Sequence, residues 1–245
     1  MSIEIKFQGN KRMMSKSLCN VVAPQEVMAR YGADILRLWV ASCDYREDVR
    51  ISEDILGQVA ESYRKIRNTF RYLLSNLHDF DPRRHSVKGE RDVSELDRWA
   101  LTRTRQLRDA VTRHYEEHAF HEMVRAIYHY CVVDLSGFYL DAIKDRLYTE
   151  PAGDPRRRCV QTALYAILSH LVKMLAPVLA VTTEEVWQSM REHGWVPESS
   201  VHVSLWPEAA ELPWELDAAG EERWSAFRSM REVVMKALEE QRMQQ

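Results

Sequence analysis

Glycine and proline are scarce, with 8 of each in 245 residues. An all-β protein needs many tight turns, and turn chemistry draws heavily on these two residues. The composition therefore argues against a sandwich or barrel and leaves helix as the expectation, while 45% hydrophobic residues can supply a core. No apolar run approaches the roughly 20 residues of a membrane span, and the N-terminus has neither the charged start nor the apolar core of a secretory signal. A soluble, cytoplasmic protein without a membrane partner is expected. Charge of one sign is also missing: 34 Lys and Arg face 37 Asp and Glu, for a formal net charge of -3. Any nucleic-acid site must then come from local clusters of basic side chains. Cys19, Cys43, Cys131 and Cys159 are far apart and form no Cys-x-x-Cys pair. Neither a metal site nor a redox dithiol is expected from them, and they read as scattered thiols of a reducing compartment.

What is present is helical periodicity with marked boundaries. Ile3, Ile5 and Phe7 alternate with polar residues and predict a short strand ending at Gly9-Asn10. Pro24 suits the first position of a helix and Gly32 the residue past its end; Ile35, Leu36, Trp39 and Val40 mark a second helix. Ser52 followed by Glu53 and Asp54 caps a long amphipathic helix bearing Leu56, Val59, Tyr63, Ile66, Phe70, Leu73 and Leu77. Residues 79–92 read as a loop, and Ser94 with Asp97 as a capping box. The run from Phe120 to Leu147 reads as one apolar, central helix, and Val160 to Leu175 as another. Thr182 with Glu185 reads as a further capping box. Val201, Val203 and Leu205 alternate with polar neighbours and predict a short strand over 201–206, before a last helix carrying Trp224, Phe227, Met230, Val234 and Leu238.

Three stretches carry candidate chemistry. Ser15-Lys16-Ser17 places two hydroxyls around one ammonium just ahead of a helix, a set that suits phosphate oxygens; on its own it is also the composition of a solvated turn. Arg64, Lys65, Arg67 and Arg71 form one basic cluster, and Arg156, Arg157 and Arg158 another. Each is a candidate for RNA phosphate contact, since Arg forks match phosphate geometry, and each also reads as a solvated helix face. Asp141 to Arg146 mixes signs at helical spacing and reads as intrahelical ion pairing. His121 and His202 have no partner pattern and read as structural.

The string from Met14 to Val22 resembles the KMSKS signature loop of class I aminoacyl-tRNA synthetases. Tyr31-Gly32-Ala33-Asp34-Ile35-Leu36-Arg37-Leu38-Trp39 and Asp44-Tyr45-Arg46-Glu47-Asp48-Val49-Arg50-Ile51-Ser52 resemble the isoleucyl branch in particular. The likeness continues through Tyr63-Arg64-Lys65-Ile66-Arg67-Asn68-Thr69, Glu95-Leu96-Asp97-Arg98-Trp99, Phe138-Tyr139-Leu140-Asp141 and Glu184-Glu185-Val186-Trp187. The resemblance implies a mainly α fold. A short α/β N-terminal segment over residues 1–50, carrying the KMSKS-like loop and stem-contact helices, would precede a helical anticodon-binding bundle over 51–245.

It further implies the tRNA-binding C-terminal portion of a ligase that joins isoleucine to its tRNA, with tRNA and ATP as partners and no DNA. Lys16 stands where the family's loop lysine stabilises the triphosphate as pyrophosphate departs, with Ser15 and Ser17 as supporting donors; the role is charge stabilisation. ATP with magnesium would be a substrate of the parent enzyme, and no cofactor is expected in this chain. Two positions depart from the pattern. Met13 replaces the first loop lysine, and Cys19 stands where glycine usually follows the leucine, which strains the chain if φ there is positive. Lys11 or Arg12 is placed to supply the missing charge. The family's His-x-Gly-His signature is absent from the 9 histidines, as are the amino-acid pocket and editing domain. Adenylation by this chain alone is therefore not expected. The alternative is a free-standing helical tRNA-binding or interaction module derived from a synthetase and inactive in aminoacylation.

Overall fold

The structure, a computed structural model, describes residues 3–7, 10–14 and 21–243. The N-terminal alternation forms strand β1 (Ile3–Phe7), paired antiparallel with β2 (Asn10–Met13), Phe7 opposite Asn10. On its other side β1 pairs in parallel with β3 (Val49–Ile51), Ile3 opposite Val49. A parallel pair requires a crossover, and helices α1 (Pro24–Tyr31) and α2 (Ala33–Ser42) lie on it. Pro24 opens α1 as expected. Gly32 closes it at φ 92°, a backbone region that favours glycine, with its amide on the Met28 carbonyl at 2.9 Å. Val27, Trp39, Val49, Ile51 and Leu56 make a small core here, with Met14 packed against it.

The rest is a helical bundle. Ser52 caps α3 (Glu53–Ser75) by accepting from the Ile55 amide, and Ser94 caps α5 (Glu95–Glu116) by accepting from the Asp97 amide. Between them α4 (Pro82–His85) is one turn capped by Asp81, inside the segment expected to be a loop throughout. After α6 (Phe120–His129) the chain passes into a ten-residue π-helix, Tyr130–Tyr139, and then two short helices, α7 (Leu140–Ala142) and α8 (Lys144–Tyr148). The expected single helix from Phe120 to Leu147 is thus interrupted. Buried Asp134 explains part of the arrangement: it lies 3.0 Å from Arg103 of α5 and 2.6 Å from an arginine farther along the chain, Arg228. Gly137 is needed where the wide turn folds back, since a Cβ there would lie 3.0 Å from the Val132 carbonyl oxygen.

The central helix is α9 (Pro155–Leu175), packed against α3, α5 and the following α10 (Ala180–Glu192). Cys159, Val160, Leu164, Ile167, Leu168 and Leu171 are fully buried, so apolar residues occupy more than one face, as a core helix requires. The capping box expected at Thr182 and Glu185 is not formed. The helix starts earlier, and the cap comes from Asp34 of α2, whose carboxylate accepts from the Val181 amide at 3.2 Å and the Thr182 amide at 2.7 Å. Arg37, one turn on, donates to the carbonyls of Pro177 and Val178 at 2.6 and 2.9 Å. One face of α2 therefore satisfies both sides of the α9–α10 corner.

The strand expected over 201–206 is also corrected. Val201–Val203 is a single 3-10 turn, with Glu184 accepting from the Ser200 hydroxyl and the Val201 amide. Val201 is buried whereas Leu205 is 83% exposed, so the alternation has no second apolar position inside. The last helix, α11 (Ala218–Met243), crosses back over α5: Trp224 stacks on Trp99 at 5.6 Å, and Arg231 donates to the Gly137 carbonyl. No helix among the described residues is long and apolar enough to cross a membrane.

Candidate nucleic-acid interface

Helix α3 buries Leu56, Ala60, Ile66, Phe70 and Leu73 against the bundle. The 3.6-residue period then forces the polar positions outward. Arg64, Arg67 and Arg71 fall at i, i+3 and i+7 and are all exposed, with Asn68 beside them. Arg64 pairs with Glu61 one turn back, but both partners are mostly exposed, so that pair holds the guanidinium weakly. Arg67 and Arg71 have no hydrogen-bond or ion-pair partner among the described residues. Lys65 turns toward α6, where its Nζ donates to the Tyr128 hydroxyl at 3.0 Å and sits 5.5 Å from the ring centroid. The hydrogen bond to Tyr128 raises the Lys65 pKa, so the ammonium stays charged. Three cations thus share one exposed stripe of α3 with Lys65 beside it, and two of the three have no partner among the described residues. A helix surface of this kind offers an anionic backbone forked donors with little competing acid.

The second basic cluster is placed otherwise: of Arg156, Arg157 and Arg158, expected to be open to RNA phosphates or solvent, the last two turn into the bundle. Asp154 caps α9 through the amides of Arg156 and Arg157 at 2.8 and 3.4 Å, which directs the next side chains into the bundle. Arg157 is 8% exposed and forks onto Asp79, at 2.6 and 3.0 Å, while its Nε donates to the Leu147 carbonyl at 3.1 Å. Arg158 donates to the Asp79 carbonyl at 3.0 Å and to Gln161 at 2.7 Å. Burial pushes the Asp79 carboxyl up, yet the hydrogen bonds from Arg157 and Gln161 and both positive charges prevail and hold it at about 2. Arg156 alone points outward, and Glu150 and Asp154 flank it. This cluster is a clasp that ties the chain after α3 to the start of α9.

Arg146, whose spacing suggests an intrahelical ladder, instead forks onto the fully buried Asp97 at 2.6 and 2.9 Å; only Lys144 and Asp141 form the local pair, at 2.8 Å. Lys16, Ser15, Ser17 and Cys19 lie outside the described residues. Periodicity alone assigns Tyr128 to the core and does not single out Asn68. Asn68 is nevertheless recoverable from the sequence, since it lies four residues after Arg64 on the same helical face. No group of three or more His, Cys, Asp or Glu able to hold a metal occurs among the described residues.

Residues 97–245 match the family model described as the anticodon-binding domain of tRNA ligase, and residues 3–52 match that of the class I tRNA synthetases (I, L, M and V). The chain is similar to the isoleucine–tRNA ligase of Desulforudis audaxviator, 52% identical over 228 residues, covering 93% of this chain and 24% of that protein. It is also 48% identical to the isoleucine–tRNA ligase of Natranaerobius thermophilus over 235 residues, covering 96% of this chain and 25% of that protein. The chain therefore spans about a quarter of the length of these relatives. Among solved structures, the fold is similar to a LeuRS of Agrobacterium radiobacter K84, crystallised as a ternary complex with tRNA and LeuAMS. The TM-score is 0.62 at 20% identity, covering 87% of this chain and 25% of that one.

Proposed function

We propose a function from the premise that this chain belongs to the family of anticodon-binding domains of tRNA ligases, preceded by a class I tRNA synthetase segment. The chain is the tRNA-binding C-terminal part of an isoleucine–tRNA ligase, and its RNA contact runs along α3. Residues 1–50 form the tail of the catalytic domain and 51–245 the anticodon-binding domain. The observation that carries the reading is the stripe of Arg64, Arg67 and Arg71, exposed together on one helix with Arg67 and Arg71 unpartnered among the described residues. Such a stripe binds phosphates first. Bases freed in a single-stranded loop add selectivity.

In the parent enzyme ATP, with magnesium, is the substrate. Lys16 stabilises departing pyrophosphate with Ser15 and Ser17 as donors, and the enzyme acts in the cytoplasm on isoleucine tRNA. The chain by itself forms no isoleucyl-adenylate, because a phosphate-contacting loop without the pocket that aligns carboxylate and α-phosphorus forgoes the advantage of orientation. Isoleucine-dependent exchange of pyrophosphate into ATP above a no-enzyme control would refute that statement. The tRNA reading itself is tested by filter binding of isoleucine tRNA, a non-cognate tRNA and duplex DNA, with tighter binding of isoleucine tRNA expected.

A second reading, an interaction module that no longer serves aminoacylation, draws on Met13 and Cys19 and on the exposed apolar side chains Phe227, Met230, Val234 and Leu238 of α11. Absence of tRNA binding even at low salt selects it.

A further inference from the structure

Helices α2, α3 and α6 enclose a cleft of about 360 Å³. It adjoins the basic stripe, because Tyr128 in its wall is the residue that accepts the Lys65 hydrogen bond. Its floor is apolar, with Leu38 and Ile66 1% and 2% exposed. Its rim is polar and divided, with Arg125 and the Tyr128 hydroxyl as donors and Ser42, Ser62 and Asp44 as acceptors. Ser42 Oγ donates to the Trp39 carbonyl at 2.8 Å and Ser62 Oγ to the Gln58 carbonyl at 3.0 Å. Each hydroxyl proton is thereby committed, and what remains to offer is lone pairs. Asp44 adds a partly exposed carboxylate whose Oδ1 accepts from the Arg46 amide at 3.0 Å and whose Oδ2 stands 3.8 Å from His121 Nε2. His121 also lines the cleft, and its Nδ1 is buried without a partner among the described residues.

We infer that the cleft receives one unstacked guanine of the RNA whose phosphates lie along α3, an inference that rests on the tRNA-binding reading above. A base lays its apolar face against the floor and meets the rim with its edge. The part of the rim formed by Asp44, Ser42 and Ser62 offers acceptors, so it selects an edge rich in N–H. Guanine presents N1–H and the N2 amine side by side, a pair that a carboxylate accepts in parallel. Hypoxanthine lacks the amine and adenine lacks N1–H; each leaves Asp44 or a serine without its full set of bonds. The exposed Arg125, whose Nη1 pairs with Glu122 at 3.2 Å, stands at the edge of the same cleft with its other N–H groups as donors for the guanine carbonyl.

The probes are the 5′-monophosphates of guanosine, inosine and adenosine, followed by calorimetry or saturation-transfer NMR. The three share one phosphate, so attraction to the stripe is common to all and only the base differs. Guanosine monophosphate should bind about tenfold more tightly than the other two, as expected for one bidentate pairing. Asp44→Asn, which keeps the size of the side chain, should remove that preference. Ser62→Trp, which fills the cleft from α3, should abolish mononucleotide binding. It should also weaken isoleucine tRNA binding about tenfold with the salt slope unchanged, since the cations that neutralise phosphate all remain.

Equal binding of the three mononucleotides overturns the guanine site, as does an Asp44→Asn protein that keeps the preference. If in either case Arg67→Ala still flattens the salt dependence of tRNA binding, the stripe stands and the cleft alone is refuted. If neither Ser62→Trp nor Arg67→Ala changes tRNA binding, both readings fall.

Discussion

Replacing Asp79 by Asn separates the architecture from the interface. In the folded protein Asp79 accepts the fork of Arg157 and a bond from Gln161, and its carboxyl is held at about 2 against an ordinary 3.8. That depression corresponds to about 2 kcal/mol of stability at neutral pH. A carboxyl whose folded pKa is lowered contributes its full share above pH 3.8 and loses it as the pH falls through about 2. Asp79→Asn forfeits this share and leaves Arg157, 8% exposed, with only carbonyl partners. Stranding one partner of a buried pair costs about 3–5 kcal/mol, and the Leu147 carbonyl places this case at the low end, about 3 kcal/mol. Urea unfolding at pH 7 measures it. Arg157→Met and the double variant complete a cycle in which the second change should cost far less than the first. The variant should also lose the part of the acid destabilisation that falls between about pH 4 and 2. A loss below about 0.5 kcal/mol, or an additive cycle, would show that Asp79 and Arg157 do not form the clasp described.

Other expected outcomes are more local. Asp34→Ala should lower stability by about 1–2 kcal/mol in urea melts, because the amides of Val181 and Thr182 at the start of α10 lose their cap; a neutral result would contradict the capping role. Gly137→Ala should cost about 1–3 kcal/mol, since its Cβ would press on the Val132 carbonyl oxygen at 3.0 Å, and an unchanged melting temperature would argue against the π-helical path there. Grafting residues 11–19 into an intact isoleucine–tRNA ligase should slow adenylation more than it weakens ATP binding, given that the missing charge acts on departing pyrophosphate. An unchanged turnover rate would mean that Lys11 or Arg12 compensates.

Much of the fold is legible in the sequence because its signals are local. Pro24 and Gly32 bound α1, Ser52 and Ser94 cap their helices as predicted, and the alternation from Ile3 to Phe7 is a strand. The failures share a cause. The cap of α10 comes from Asp34, 147 residues earlier, so no capping-box pattern near Thr182 could reveal it. The Arg156 to Arg158 triplet has the same composition as a phosphate platform. Only the position of Asp79, 78 residues away, turns Arg157 inward. The alternation at 201–206 is real, but a strand needs a partner edge, and Glu184 instead takes the Ser200 hydroxyl and the Val201 amide and closes a turn. In the interface, periodicity finds the stripe on α3. It cannot find the cleft beside it, because α6, far along the chain from α2 and α3, contributes one of the walls.

Fluorescence anisotropy of labelled isoleucine tRNA across a salt series tests the central claim, that RNA phosphates bind along α3. The log-log slope of affinity against salt should shrink by about 0.7–0.9 for each phosphate that Arg67→Ala or Arg71→Ala no longer neutralises. It should be unaltered in Arg156→Ala, whose guanidinium is already flanked by Glu150 and Asp154. Slopes unchanged in the α3 variants, or reduced as much in Arg156→Ala, would contradict the account.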